Sequence, residues 1–69
     1  MSWPYTKSKP EAKFEMYKDS TGKFRFRLRA ANNEIIAVSE AYESKSGCKS
    51  GIESVKENAA NAKVEDLTE

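Results

Sequence analysis

The chain reads as one small α+β domain of order β-β-β-α-β, an antiparallel sheet with one helix packed on it, that works as a dimer. Three observations predict this. Residues 13–30 alternate apolar and polar with a period of two, the mark of strands with one dry and one wet face. Residues 45–59 change to a helical spacing. The large apolar side chains are too few for a chain of 69 residues to shield a core by itself.

Residues 1–11 (MSWPYTKSKPE) form an arm. Pro4 and Pro10 interrupt regular structure. Trp3 and Tyr5 either cover a patch of the domain or a partner, or belong to a frayed terminus. Residues 12–69 are the domain.

Phe14 and Met16 share one face of the first strand, Glu15 and Tyr17 the other. Asp19-Ser20-Thr21-Gly22 is a turn, with Gly22 suited to positive φ. In the second strand Phe24, Phe26, Leu28 and Ala30 alternate with Lys23, Arg25, Arg27 and Arg29. Matching the faces places Glu15 opposite Arg25 or Arg27. Asn32-Asn33 makes the next turn. A third strand spans Ile35–Glu40, with two registers open: Ile35 and Ala37 beside Leu28, or Ile36 and Val38 there. The run IIAV is apolar on both faces, which predicts a strand covered on both sides.

Ser44 is a helix cap, and the helix runs to Asn58 or Ala59. Gly47, Cys48, Gly51, Ile52, Val55 and Ala59 fall on one arc; Lys49, Glu53, Lys56 and Glu57 lie opposite. Two glycines inside the arc predict a close approach of the helix backbone to its neighbour, since each costs about 1 kcal/mol against alanine. Asn58–Asn61 ends the helix through a left-handed Asn. Ala62–Leu67 reads as a short last strand with Val64 inward.

In its motifs, the stretch Lys13–Thr68 resembles the YegP-like family of small bacterial domains (domain of unknown function 1508, UPF0339). Those motifs are K-F-E-x-Y-K-D, then G-K-F-R-F-R-L-R-A-A-N-x-E-I-I, S-E-x-Y and G-I-E-S-V-K. One departure stands out: Asn32-Asn33 replaces the family's Asn-Gly, which bears on the turn type. The resemblance implies a β-β-β-α-β unit whose C-terminal strand is exchanged between two units to complete a joint sheet. With one unit here and no internal repeat, it implies a second copy as partner. The family carries no established activity.

Composition excludes several classes. There is no histidine and one cysteine, so neither a zinc cage nor an intrachain disulfide is available. The expectation is a protein without metal, cofactor or catalytic residues, and not an enzyme. The acid pairs Glu40/Glu43 and Glu65/Asp66 are ordinary surface groups unless a cleft gathers them, and a cleft is expected only at a dimer interface. No apolar run suits a signal peptide or a membrane span; the expected location is the cytoplasm, and the expected source bacterial.

Two leads remain. Cys48 lies near the helix N-terminus, where a thiolate is favoured, but also on the apolar arc, where cysteine acts as a small hydrophobe. Lys23, Arg25, Arg27 and Arg29, with Tyr17 beside them, form a basic ladder suited to an anion or a nucleic acid. The alternative is a solvated face neutralised by Glu15 and by acids such as Glu65. Residues 1–30 hold eight basic and three acidic groups, residues 31–69 four and eight. The net charge of +1 weighs against a strong nucleic-acid binder.

Overall fold

The computed structural model describes residues 11–68. The Trp3 and Tyr5 arm lies outside them. Three strands, β1 (Lys13–Lys18), β2 (Phe24–Arg29) and β3 (Ile35–Val38), precede one helix, α1 (Lys45–Ala59). The sheet has the order β1-β2-β3 and is antiparallel throughout.

Both hairpins turn the same way. At the first, Gly22 N donates to Asp19 O and Asp19 N to Lys23 O, with Gly22 at φ 87°. At the second, Asn33 N donates to Ala30 O and Ala30 N to Glu34 O, with Asn33 at φ 75°. Each is a three-residue loop whose last residue is left-handed, a common solution for hairpins. Asn33 therefore does at the second turn what glycine does at the first.

Register follows from the turns. Phe14 pairs with Leu28, Met16 with Phe26 and Glu15 with Arg27, so the first pairing matches the expected faces. In β3, Ala37 pairs with Leu28 and Val38 with Arg27, but Arg29 pairs with Ile35. The shift leaves Ile36 as an extra residue, a bulge. Neither simple register holds along the whole strand: Ala37 lies beside Leu28, while Ile35 has crossed to the arginine face.

β3 ends at Val38, two residues before the expected Glu40, because Ser39 breaks the ladder. Its Oγ accepts from Phe26 N (2.9 Å) in place of a backbone carbonyl. Pairing resumes at Phe24 and Tyr42, joined by two backbone hydrogen bonds. The expectation that both faces of β3 are covered fails within one chain. β3 is an edge strand, and all four of its residues are exposed.

Ser44 caps α1 by accepting from Gly47 N at 3.0 Å. The helix packs on β2 through most of the predicted arc: Cys48 is fully buried, Gly47, Gly51, Ile52 and Val55 are half-buried, and Ala59, in the last turn beyond the sheet contact, is exposed. Phe26 is sandwiched in this layer, edge-on to Phe14 at 5.8 Å and stacked on Tyr42 at 6.2 Å. Phe26 and Cys48 are the only buried hydrophobic residues among those described. The core is as thin as the composition predicts.

The helix does not end on a left-handed Asn. Ala60 closes it in right-handed geometry, and the Asn58 amide instead donates back to Ser54 O at 2.8 Å. Ala62–Leu67 forms no strand within the single chain, because no neighbouring strand pairs with it. Val64 is 95% exposed and Leu67 81%.

Candidate functional site

The sheet face turned away from α1 carries the predicted ladder. β2 presents Arg25, Arg27 and Arg29 there, and β1 adds Glu15 and Tyr17 through the pairs Glu15–Arg27 and Tyr17–Arg25. Tyr17 lies under Arg27, with 4.7 Å from guanidinium carbon to ring centroid, a cation–π contact. Lys23 sits at the mouth of the strand and turns aside to Glu43, 2.7 Å away.

The ladder is partly neutralised. Glu15 Oε1 accepts from Arg27 Nε at 2.7 Å and from Arg29 Nε at 2.9 Å. Those two guanidinium groups, Arg27 foremost, lower the Glu15 carboxyl from its ordinary 4.5 to about 2. Asp19 accepts from Arg25 Nε at 2.8 Å. The Thr21 hydroxyl and then Arg25 hold its carboxyl well below the usual range. Arg25 also donates to Ser39 O, and Arg29 to Asn33 O. Two carboxylates thus face three guanidinium groups, since Glu15 serves two of them.

The sequence anticipated Glu15 as a partner but not Asp19 or Glu43. Asp19 was legible only as a turn residue, and the same carboxylate caps Thr21 N and Lys23 N while holding Arg25. Glu65, expected to help neutralise the ladder, is exposed in the single chain and makes no ion pair among the described residues.

On the helix side lies a feature that the sequence reserved for a dimer interface. A groove of about 570 Å³ runs between β1 and α1. Phe14, Met16 and Ile52 form its apolar part; Lys13, Lys49 and Lys56, with Glu53, form its charged rim. Neither Glu40/Glu43 nor Glu65/Asp66 lines it. Among the described residues no three potential metal ligands come together, and no helix is long and apolar enough to cross a membrane. Burial raises the Cys48 thiol pKa, as for a small buried hydrophobe.

Comparison with known proteins gives a consistent picture. The family model described as Domain of unknown function (DUF1508) matches residues 19–66. A UPF0339 protein of Treponema denticola is 69% identical over 52 residues, which are 75% of this chain and 90% of the relative. A UPF0339 protein of the archaeon Methanosarcina acetivorans is 62% identical over 53 residues, 77% and 91% of the two chains. Such relatives therefore reach beyond bacteria. Among solved structures, the solution structure of a protein from Haloferax volcanii is similar with a TM-score of 0.76 at 44% identity, covering 84% of this chain and 98% of its own. That of a protein from Agrobacterium tumefaciens gives 0.70 at 45% identity, covering 81% and 90%.

Proposed function

The chain belongs to the DUF1508 family, a domain of unknown function, and on that premise we propose that it is a cytoplasmic, non-enzymatic binding or accessory module that works as a homodimer. One observation carries the reading: apolar side chains are left uncovered at both ends of the unit. Ile35, Ile36 and Val38 are about half exposed, and Val64 and Leu67 are almost wholly so. Covering an aliphatic side chain completely is worth about 1.5–3 kcal/mol. A second copy, offering its own 62–67 segment in exchange, covers such groups twice over. Light scattering at micromolar concentration tests this. A mass of two chains is expected, falling to one when residues 62–69 are deleted; a single-chain mass for the intact protein removes the reading.

The Tyr17, Lys23, Arg25, Arg27 and Arg29 face supports a second reading, weak anion or nucleic-acid binding. Its support is the sharing of Glu15 by Arg27 and Arg29, which leaves one guanidinium charge uncompensated. The existing ion pairs compete with any phosphate, so retention of single-stranded nucleic acid is expected only at low salt. Retention that is absent at low salt, or unchanged in Arg27→Gln, sets this reading aside.

A further inference from the structure

We infer that the outer edge of β3 is the seat of the chain's own N-terminal arm, which pairs there as a further strand with Trp3 beside Val38 and Lys7 beside Glu34. Residues 1–10 lie outside those described. The seat is independent of the homodimer proposed above: one exchanged segment per chain covers one edge of the sheet, and the order β1-β2-β3 has two.

β3 is an open edge whose Ile35, Ile36 and Val38 are exposed. Ser39 N donates to Phe26 O, so Ser39 turns its backbone toward β2, and Val38, one residue earlier, turns its own outward. A strand laid there antiparallel, with Trp3 opposite Val38, uses the Trp3 N–H and C=O. Pro4 comes next and turns its nitrogen to solvent, the one orientation in which an edge strand tolerates a residue without an N–H. Pro4 also favours an extended Trp3. Alternation puts Trp3 and Tyr5 on one side, the side that Val38 shares with Arg27. Aromatic rings beside β-branched side chains are favourable cross-strand pairs.

Reach and charge fit the same edge. Lys13, Arg29 and Ile35 lie in one row across the sheet. At about 4.8 Å per strand, a strand outside β3 lies about 14 Å from β1. The chain from Thr6, opposite Ile35, to Lys13 reaches up to about 23 Å, enough to pass over the turn at Ala30–Glu34. The resulting order β1-β2-β3-arm is a Greek key met from its first strand. Residues 1–10 hold Lys7 and Lys9 and no acid. β3 is bracketed by Glu34 and Glu40, and neither has an ion-pair partner among the described residues. β1 is bracketed by Lys13 and Lys18, with Lys49 and Lys56 beside it. The arm meets opposite charge at β3 and like charge at β1.

Trp3 is the single tryptophan of the chain, so its fluorescence reports the seat in the intact protein. Acrylamide is expected to quench it about threefold less in the folded protein than in guanidinium, at every protein concentration. Val38→Ser and Lys7→Glu should each raise quenching toward the denatured level, with the helix signal in circular dichroism unchanged. The charge swap Lys7→Glu/Glu34→Lys should restore the shielding. Equal quenching in folded and denatured protein leaves the edge to another occupant and overturns the inference. Shielding that survives Val38→Ser, or that the charge swap does not restore, places the arm elsewhere and overturns it too. Shielding that falls on dilution in step with the mass from light scattering assigns the arm to a second copy, which overturns the own-chain seat while the dimer stands. A single-chain mass with Trp3 still shielded removes the dimer and supports the seat.

Discussion

The Tyr42 ring occupies the space in which a side chain on Gly51 would begin. A Cβ built on Gly51 would meet the Tyr42 hydroxyl and lie 2.7 Å from its Cζ and 3.2 Å from Phe26 Cε2. Tyr42 is held by its backbone bridge to Phe24 and by stacking on Phe26, so the helix comes close only because position 51 is bare.

Two effects compete when Gly51 becomes alanine. Helix propensity favours alanine by about 1 kcal/mol, and overpacking costs about 1–3 kcal/mol. Gly51→Ala is expected to be net destabilising, and Gly51→Leu to prevent folding or assembly. In a Tyr42→Ala background only the 3.2 Å approach to Phe26 Cε2 remains, so Gly51→Ala there should stabilise, by up to about 1 kcal/mol. Urea melts of the four proteins decide it. No change of sign between the two backgrounds would show that Tyr42 is not the obstacle.

The Glu15 carboxylate stabilises the folded state through Arg27 and Arg29. Its folded pKa of about 2 lies below its ordinary 4.5. The unfolded chain therefore takes up a proton first as pH falls. The contribution is complete above about pH 5 and is lost as the pH falls through 4.5 toward 2. Asp19, also lowered, acts with the same sign. Thermal midpoints should be flat near neutrality and fall across the acid window, and Glu15→Gln should make the fall shallower. An equally steep acid fall in Glu15→Gln would assign the acid sensitivity to other carboxylates.

Much of this architecture was legible because it is local. Alternation over Phe24–Arg29, Gly22 in its turn and Ser44 before the helix each declare themselves within a few residues. The close approach at Gly51 was legible as a cost without a local reason, although the partner, Tyr42, was not. What escaped depends on distant backbone. The bulge at Ile36 follows from fitting β3 beside β2. Glu43 finds Lys23 only because the Phe24–Tyr42 bridge brings their segments together. The groove exists because one helix covers β2 more fully than β1, which no periodicity reveals.

Asn33 bears the cost of the second turn. At φ 75° a residue with a Cβ is strained by roughly 1–2 kcal/mol, with Asn tolerated best after glycine. Asn33→Ala should destabilise by about 1 kcal/mol, and Asn33→Gly should be neutral or stabilising by a few tenths. The reverse order of the two variants in thermal melts would place the strain elsewhere. Asn32, whose side chain accepts from Glu34 N at 3.1 Å, should tolerate glycine less well than Asn33.

Cys48 tests whether the sheet–helix contact stays closed. It lies in the first turn of α1, where the helix end favours a thiolate, yet it is fully buried and its pKa is raised. A thiol of this kind reacts only when the structure opens, so its alkylation rate follows the opening equilibrium. With iodoacetamide at neutral pH, the folded protein should label at least about a hundredfold more slowly than the protein in guanidinium. The gap should narrow in Gly51→Ala, since that substitution pushes on the same layer. Labelling of the folded protein at the unfolded rate would mean that α1 leaves β2 freely. Phe26 and Cys48 would then form no core to which a second copy could add.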